Sequence, residues 1–103
     1  MARFVMLIKY TEIGISQIHK TDARATQFRA DAAALGVTVE SVYWTLGEFD
    51  GVVTFIAPDT ETALALVTNL GGRGYVRTCL LPAFNQEEFA RVLKRIPAPP
   101  VED

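Results

Sequence analysis

Two apolar runs separated by a single Gly-Glu pair constrain this chain more than any other stretch. Residues 42–46 read V-Y-W-T-L and residues 49–55 read F-D-G-V-V-T-F, with Gly47 and Glu48 between them. A two-residue loop with Gly first suits a type II′ hairpin turn, because that position needs a positive φ. Such a turn sets Leu46 opposite Phe49, Thr45 opposite Asp50, Trp44 opposite Gly51 and Tyr43 opposite Val52. Trp44, the only tryptophan, then lies across from a residue with no side chain. Asp50 is left as a lone carboxylate on an otherwise apolar strand.

Apolar spacing on either side of the hairpin predicts further elements. Residues 4–10 form a near-continuous apolar run, as a central strand covered on both faces would. Residues 11–20 are interrupted by Gly14 and predict a loop with a short helical turn. Thr21 or Asp22 is placed to cap a helix over residues 23–35, where Ala25, Phe28, Ala32 and Leu35 recur every three or four positions. Gly36 follows at the position that favours glycine after a helix. The hairpin strands are expected over residues 37–46 and 49–57, the second stopped by Pro58. Asp59 caps the next helix, and Glu61 lies in its first turn, where the helix dipole favours an acid. Its expected buried stripe is Ala63, Leu64, Val67 and Leu70, and Gly71-Gly72-Arg73-Gly74 ends it. A fourth strand is expected over residues 75–81, halted by Pro82, with Cys79 buried in it. Asn85-x-x-Glu88 has the form of a capping box, and Phe89, Val92, Leu93 and Ile96 follow at helical spacing. The expected domain spans residues 1–96, with residues 97–103 as a tail.

The order is β-α-β-β-α-β with an extra C-terminal helix. That is the split βαβ, or ferredoxin-like, pattern of the α+β class. Right-handed crossovers then give an antiparallel sheet of strand order 4-1-3-2, with two helices on one face. Strands one and three carry apolar residues on both sides, and half of all residues are hydrophobic. The second apolar face needs a cover, and a second copy of the sheet would supply it. The sequence therefore predicts a homodimer packed sheet to sheet.

Composition excludes several classes. Twelve acids against ten bases, with no basic run, argue against nucleic-acid binding. One Cys and one His rule out a disulfide framework and argue against a metal site, and no cofactor is implied. The apolar run before Lys9 is five residues, shorter than a signal-peptide core. No run approaches the ~18 apolar residues of a membrane span. The expectation is a soluble cytoplasmic protein without a membrane partner.

Topology gathers residues that the sequence scatters. The end of strand one, the Gly47-Glu48 turn and the start of strand four share one end of the sheet. Lys9, Tyr10, Thr11, Glu12, Thr45, Asp50, Arg73 and Arg77 meet there, and the loop carrying His19 begins there. Tyr10, Tyr43, Trp44, Asp50 and Arg77 are the candidate ligand-binding residues; Asp50 and His19 are the candidates for moving a proton. Each has a structural alternative. An Asp beside a tight turn commonly bonds turn amides. Arg77 suits a carboxylate across a dimer as well as an anionic ligand. Tyr10 and Tyr43 suit an amphipathic rim, Trp44 a core or interface, and His19, beside Lys20, a solvated surface.

The segments Y-W-T-L-G-E-F-D-G-V-V (residues 43–53), K-Y-T-E-x-G-I (residues 9–15) and G-x-V-R-T (residues 74–78) resemble the GYD-domain family of small bacterial proteins. The resemblance covers roughly residues 4 to 90. Phe49 replaces the tyrosine of the family's name motif, so no role of that hydroxyl transfers. The resemblance implies the dimeric α/β-barrel superfamily, in which two ferredoxin-like sheets pack face to face. It implies no catalytic residue.

Three functions follow as expectations. The first is a small homodimer that binds a small organic ligand in a sensing or accessory role, near Tyr10, Asp50 and Arg77. The second is a cofactor-free monooxygenase- or isomerase-like enzyme using Asp50 or His19; a haem-binding form would need His19 to point inward. The third is a structural or interaction module with no ligand.

Overall fold

The computed structural model describes residues 1–101; of the expected tail, residues 102 and 103 lie outside the described residues. Strands β1 (Ala2–Tyr10), β2 (Thr38–Trp44), β3 (Gly51–Ala57) and β4 (Val76–Ala83) form one antiparallel sheet in the order β2-β3-β1-β4. Helices α1 (Glu12–Ser16), α2 (Thr21–Ala34), α3 (Thr60–Gly71) and α4 (Gln86–Arg95) complete the chain, with a 3-10 turn at Ile18–Lys20 leading into α2. The expected ferredoxin-like topology is the observed one.

Strand period explains which residues are inside. Gly51, Val53, Phe55 and Ala57 alternate with half-buried neighbours along β3, and their cross-strand partners are Ile8, Met6, Phe4 and Ala2. This face packs against Phe28 and Ala32 of α2 and Ala63, Leu66 and Val67 of α3. Phe4 and Phe55 sit directly opposite with ring centroids 5.5 Å apart. Burying each ring contributes about 2–3 kcal/mol.

The helix ends follow local chemistry. After α2, Gly36 adopts φ +73°, and the amides of Gly36 and Val37 bond the carbonyls of Ala33 and Ala32 at 3.1 and 2.9 Å. That is a Schellman close. Asp59 caps α3 by accepting from the Thr62 amide at 2.7 Å, and Asn85 and Glu88 form the reciprocal capping box of α4. Neither Thr21 nor Asp22 caps α2. The 3-10 turn runs straight into the helix, and the Thr21 hydroxyl donates instead to the Ile18 carbonyl at 2.6 Å.

Four other expectations are corrected. The hairpin strands stop at Trp44 and Gly51 rather than at Leu46 and Phe49, although Trp44–Gly51 and Tyr43–Val52 pair as expected and Gly47 has φ +118°. The Thr45 amide still donates to the Asp50 carbonyl at 2.9 Å, as the expected pairing requires. Beyond it the ladder gives way, because the Asp50 amide turns to the Ile8 carbonyl and the Thr45 hydroxyl donates to the Phe49 carbonyl, leaving Leu46 fully exposed. In α3 the residue turned inward is Leu66, and Leu64 faces solvent. Pro82 does not halt β4, which runs on to Ala83; on an edge strand a proline sacrifices no ladder donor. Cys79 is exposed, because alternation puts it on the face that no helix covers.

That open face carries Val5 and Leu7 of β1, Val52, Thr54 and Ile56 of β3, Tyr43 of β2, and Arg77, Cys79 and Leu81 of β4. An irregularity between Val39 and Ser41 frees Glu40 from the ladder, and its carboxylate pairs with Arg3 at 2.9 Å. The pair lowers the Glu40 pKa and raises that of Arg3, in each case first through their shared hydrogen bond.

Candidate functional site

The space between α2 and the sheet is incompletely filled. A cavity of about 90 Å³ opens there, with room for several waters or one small ring. Met6, Ile8, Val42 and Val53 form its floor, Ala25 and Phe28 of α2 its roof, and Leu70 of α3 one side. Small residues account for the gap. Gly51 adds nothing to the floor beneath Trp44, and Ala25 adds one methyl to the roof. A Cβ at Gly51 would stand 3.2 Å from the Tyr43 carbonyl oxygen, so the close strand approach itself favours glycine there.

Polar groups gather at the mouth. Tyr10, Trp44 and Asp50 stand on the hairpin side; Arg24, Asp31, Arg73 and Tyr75 stand on the helix side. Asp31 and Arg73 form an ion pair at 3.0 Å, and Asp31 also accepts from Gln27 at 2.8 Å. Arg24 lies over the Tyr75 ring, 3.3 Å from its centroid, and donates to the Gln17 amide oxygen at 2.6 Å. Among the described residues no carboxylate pairs with Arg24, so its charge is held at the mouth by neutral groups.

Asp50 is committed to the backbone. Its Oδ2 accepts from the Tyr10 amide at 2.8 Å, and its own amide donates to the Ile8 carbonyl at 2.8 Å. The same corner is clasped from β4. The Thr11 amide donates to the Tyr75 carbonyl at 3.1 Å and the Thr11 hydroxyl to the Gly74 carbonyl at 2.6 Å. Gly14 packs against Tyr75 so closely that a Cβ there would collide with the Tyr75 carbonyl oxygen.

Of the residues singled out from sequence, Tyr10, Trp44 and Asp50 line this one cavity; Tyr43 borders it, but strand alternation puts its side chain on the open face. Arg77 does not. It stands on the open face opposite Lys9 and lines a shallower cleft with Tyr10, Ile13 and Val76. His19 is exposed in the 3-10 turn and lines neither hollow, so it has no inward position from which to hold haem. Sequence reasoning missed Arg24, Ala25 and Tyr75. The signal for Arg24 was its place beside Ala25 and Phe28 on the inward side of α2, where a cation is unusual. Among the described residues no group of three or more His, Cys, Asp or Glu is placed to hold a metal ion, and no helix is long and apolar enough to cross a membrane.

An antiparallel sheet of order β2-β3-β1-β4, with helices on one face, defines the chain as a ferredoxin-like α+β domain. The GYD domain model matches residues 4–93, and the chain belongs to the GYD-domain family. Among solved structures, it is similar to the C-terminal domain of the MgtC protein from Mycobacterium tuberculosis, at 15% identity and TM-score 0.52, over 79% of this chain and 85% of that one. It is also similar to an ACT domain protein from Streptococcus pneumoniae, at 14% identity and TM-score 0.46, over 81% of this chain and 90% of that one. The comparison with curated proteins returns no match. The MgtC likeness speaks to fold alone.

Proposed function

We propose that this domain is a homodimeric binding module for a small organic acid, in a sensing or accessory role. The ligand's apolar body enters between α2 and the sheet, and its anionic group meets Arg24. One observation carries the reading: an apolar cavity whose mouth presents a guanidinium with no carboxylate partner among the described residues. An apolar hollow with a few converging polar groups is the usual form of a small-ligand site. An arginine stacked on a ring is already oriented, so less freedom is lost when it binds a carboxylate. The uncovered apolar face of the sheet supports the dimer.

The test is a thermal-shift series with aromatic and branched aliphatic carboxylic acids at millimolar concentration. A saturable rise in Tm is expected for wild type. Ala25→Phe, which fills the cavity, abolishes the rise, and Arg24→Gln weakens binding roughly tenfold, the loss of one charge-assisted contact. A wild type that shifts with none of these acids overturns the reading.

A further inference from the structure

Helix α4 has an apolar stripe that nothing among the described residues covers. Phe89, Leu93 and Ile96 are each more than half exposed, as is Phe84 just before the helix, and Val92 is exposed beside them. A soluble helix with such a stripe needs a surface to cover it. The molecule as a whole carries the same excess. Its accessible surface is 7295 Å², against about 5,700 Å² for a compact monomer of this mass. Its radius of gyration is 17.0 Å, against about 13 Å for a compact domain of this length. The surplus surface is of the size that a chain gives up to a stable dimer, roughly 800 Å² or more per partner.

Charge chooses how a second copy would lie. On the open face Lys9 and Arg77 are direct cross-strand partners, and both are exposed without an ion pair among the described residues. Like charges in that position are unfavourable unless an anion joins them. The other end of the same face carries the Arg3–Glu40 ion pair, with Glu87 and Glu88 in the first turn of α4 tipping that end to net negative charge; Glu88 is close enough to Arg3 to help raise its pKa. Two sheets stacked with strands antiparallel bring the Lys9–Arg77 end of each over the acidic end of the other. Stacked parallel, they would set four cations together.

The antiparallel stack also fixes where α4 goes. Only Phe84 and Asn85 separate β4 from α4, and only Thr11 separates β1 from α1. At each end of the stack, α4 of one copy therefore starts beside α1 of the other, where Ile13 and Ile15 are exposed. We infer that α4 is an arm exchanged between two copies of this chain. Its apolar stripe covers the partner's Ile13, closing the cleft lined by Tyr10, Val76 and Arg77. The arm rests on the sheet-to-sheet dimer proposed above, and a second copy is its one occupant.

The experiment is sedimentation velocity across a concentration series, joined to disulfide trapping in the full chain with Cys79→Ser. Wild type is expected as a dimer, and Leu93→Asp, an exposed position that the monomer fold does not need, weakens the dimer roughly tenfold or more. The pair Ile13→Cys with Leu93→Cys is expected to give a covalent dimer on oxidation, with neither single cysteine doing so. A monomer at every concentration overturns the dimer and the arm together. A dimer that is indifferent to Leu93→Asp, or one trapped by Ile13→Cys alone, overturns the arm and leaves the sheet-to-sheet dimer standing.

Discussion

The Asp50 carboxylate accepts the Tyr10 backbone amide at 2.8 Å and so ties the end of the central strand β1 to the hairpin between β2 and β3. The bond bridges two segments forty positions apart, and it holds the corner where Tyr10 and Trp44 frame the cavity. Replacing Asp50 with Ala leaves that partly buried amide without a partner and is expected to cost about 2 kcal/mol. Asp50→Asn keeps an acceptor oxygen and should cost less than half as much. Urea denaturation of the two variants checks the order; equal losses would mean that charge, not the hydrogen bond, holds the corner.

Gly14 is the second fixed point of the same corner. A Cβ there collides with the Tyr75 carbonyl, which also receives the Thr11 amide. Gly14→Ala is therefore expected to destabilise the fold by on the order of 2 kcal/mol, more than an ordinary surface substitution. Gly71, where a Cβ meets nothing, supplies the control: Gly71→Ala should be neutral or stabilising. The same denaturation assay reads both.

Asp59 makes stability depend on acid. Its pKa is lowered, first by the hydrogen bond from the Thr62 backbone and also by one from the Thr62 side chain. A depressed carboxylate contributes stability that is fully present above its unfolded value, about pH 3.9, and is lost as pH falls through the lower folded value. Asp59→Asn retains a capping oxygen and removes the charge. Its Tm should fall less than that of wild type between pH 5 and about pH 2. Parallel Tm curves would contradict this assignment.

Cys79 reports on the open face without any engineered probe. Its thiol stands on β4 opposite Leu7, exposed in the single chain. If two sheets pack together on that face, reaction with a thiol reagent slows as protein concentration rises through the dimer Kd. A rate independent of concentration contradicts the sheet-to-sheet dimer.

Elements with a strong local cause were legible in the sequence. The Gly36 and Asp59 helix ends, the Asn85–Glu88 box and the Trp44–Gly51 pairing all follow from residues close in the chain. Local pattern failed where tertiary partners compete. Asp50 keeps the Thr45 amide on its carbonyl but turns its own amide and carboxylate to β1, which offers them a carbonyl and an amide. Pro82 stays in a strand because β4 is an edge. Leu64 and Leu66 are both leucine, and only the placement of α3 on the sheet decides which one is buried. At the site, the polar corner could be assembled from topology. For Arg24 the sequence offers only its inward position on α2; its place at the mouth is set by the Tyr75 ring, which arrives from beyond α3.

The hollow beneath α2 is proposed to hold a ligand. A ¹H–¹⁵N correlation titration of the full chain with an aromatic carboxylic acid tests it most directly. Saturable shifts are predicted at the amides of Tyr10, Ala25 and Gly51 and at the Trp44 indole, all absent in Ala25→Phe. Shifts confined to the Lys9–Arg77 face, or shifts at these amides that persist in Ala25→Phe, would contradict it.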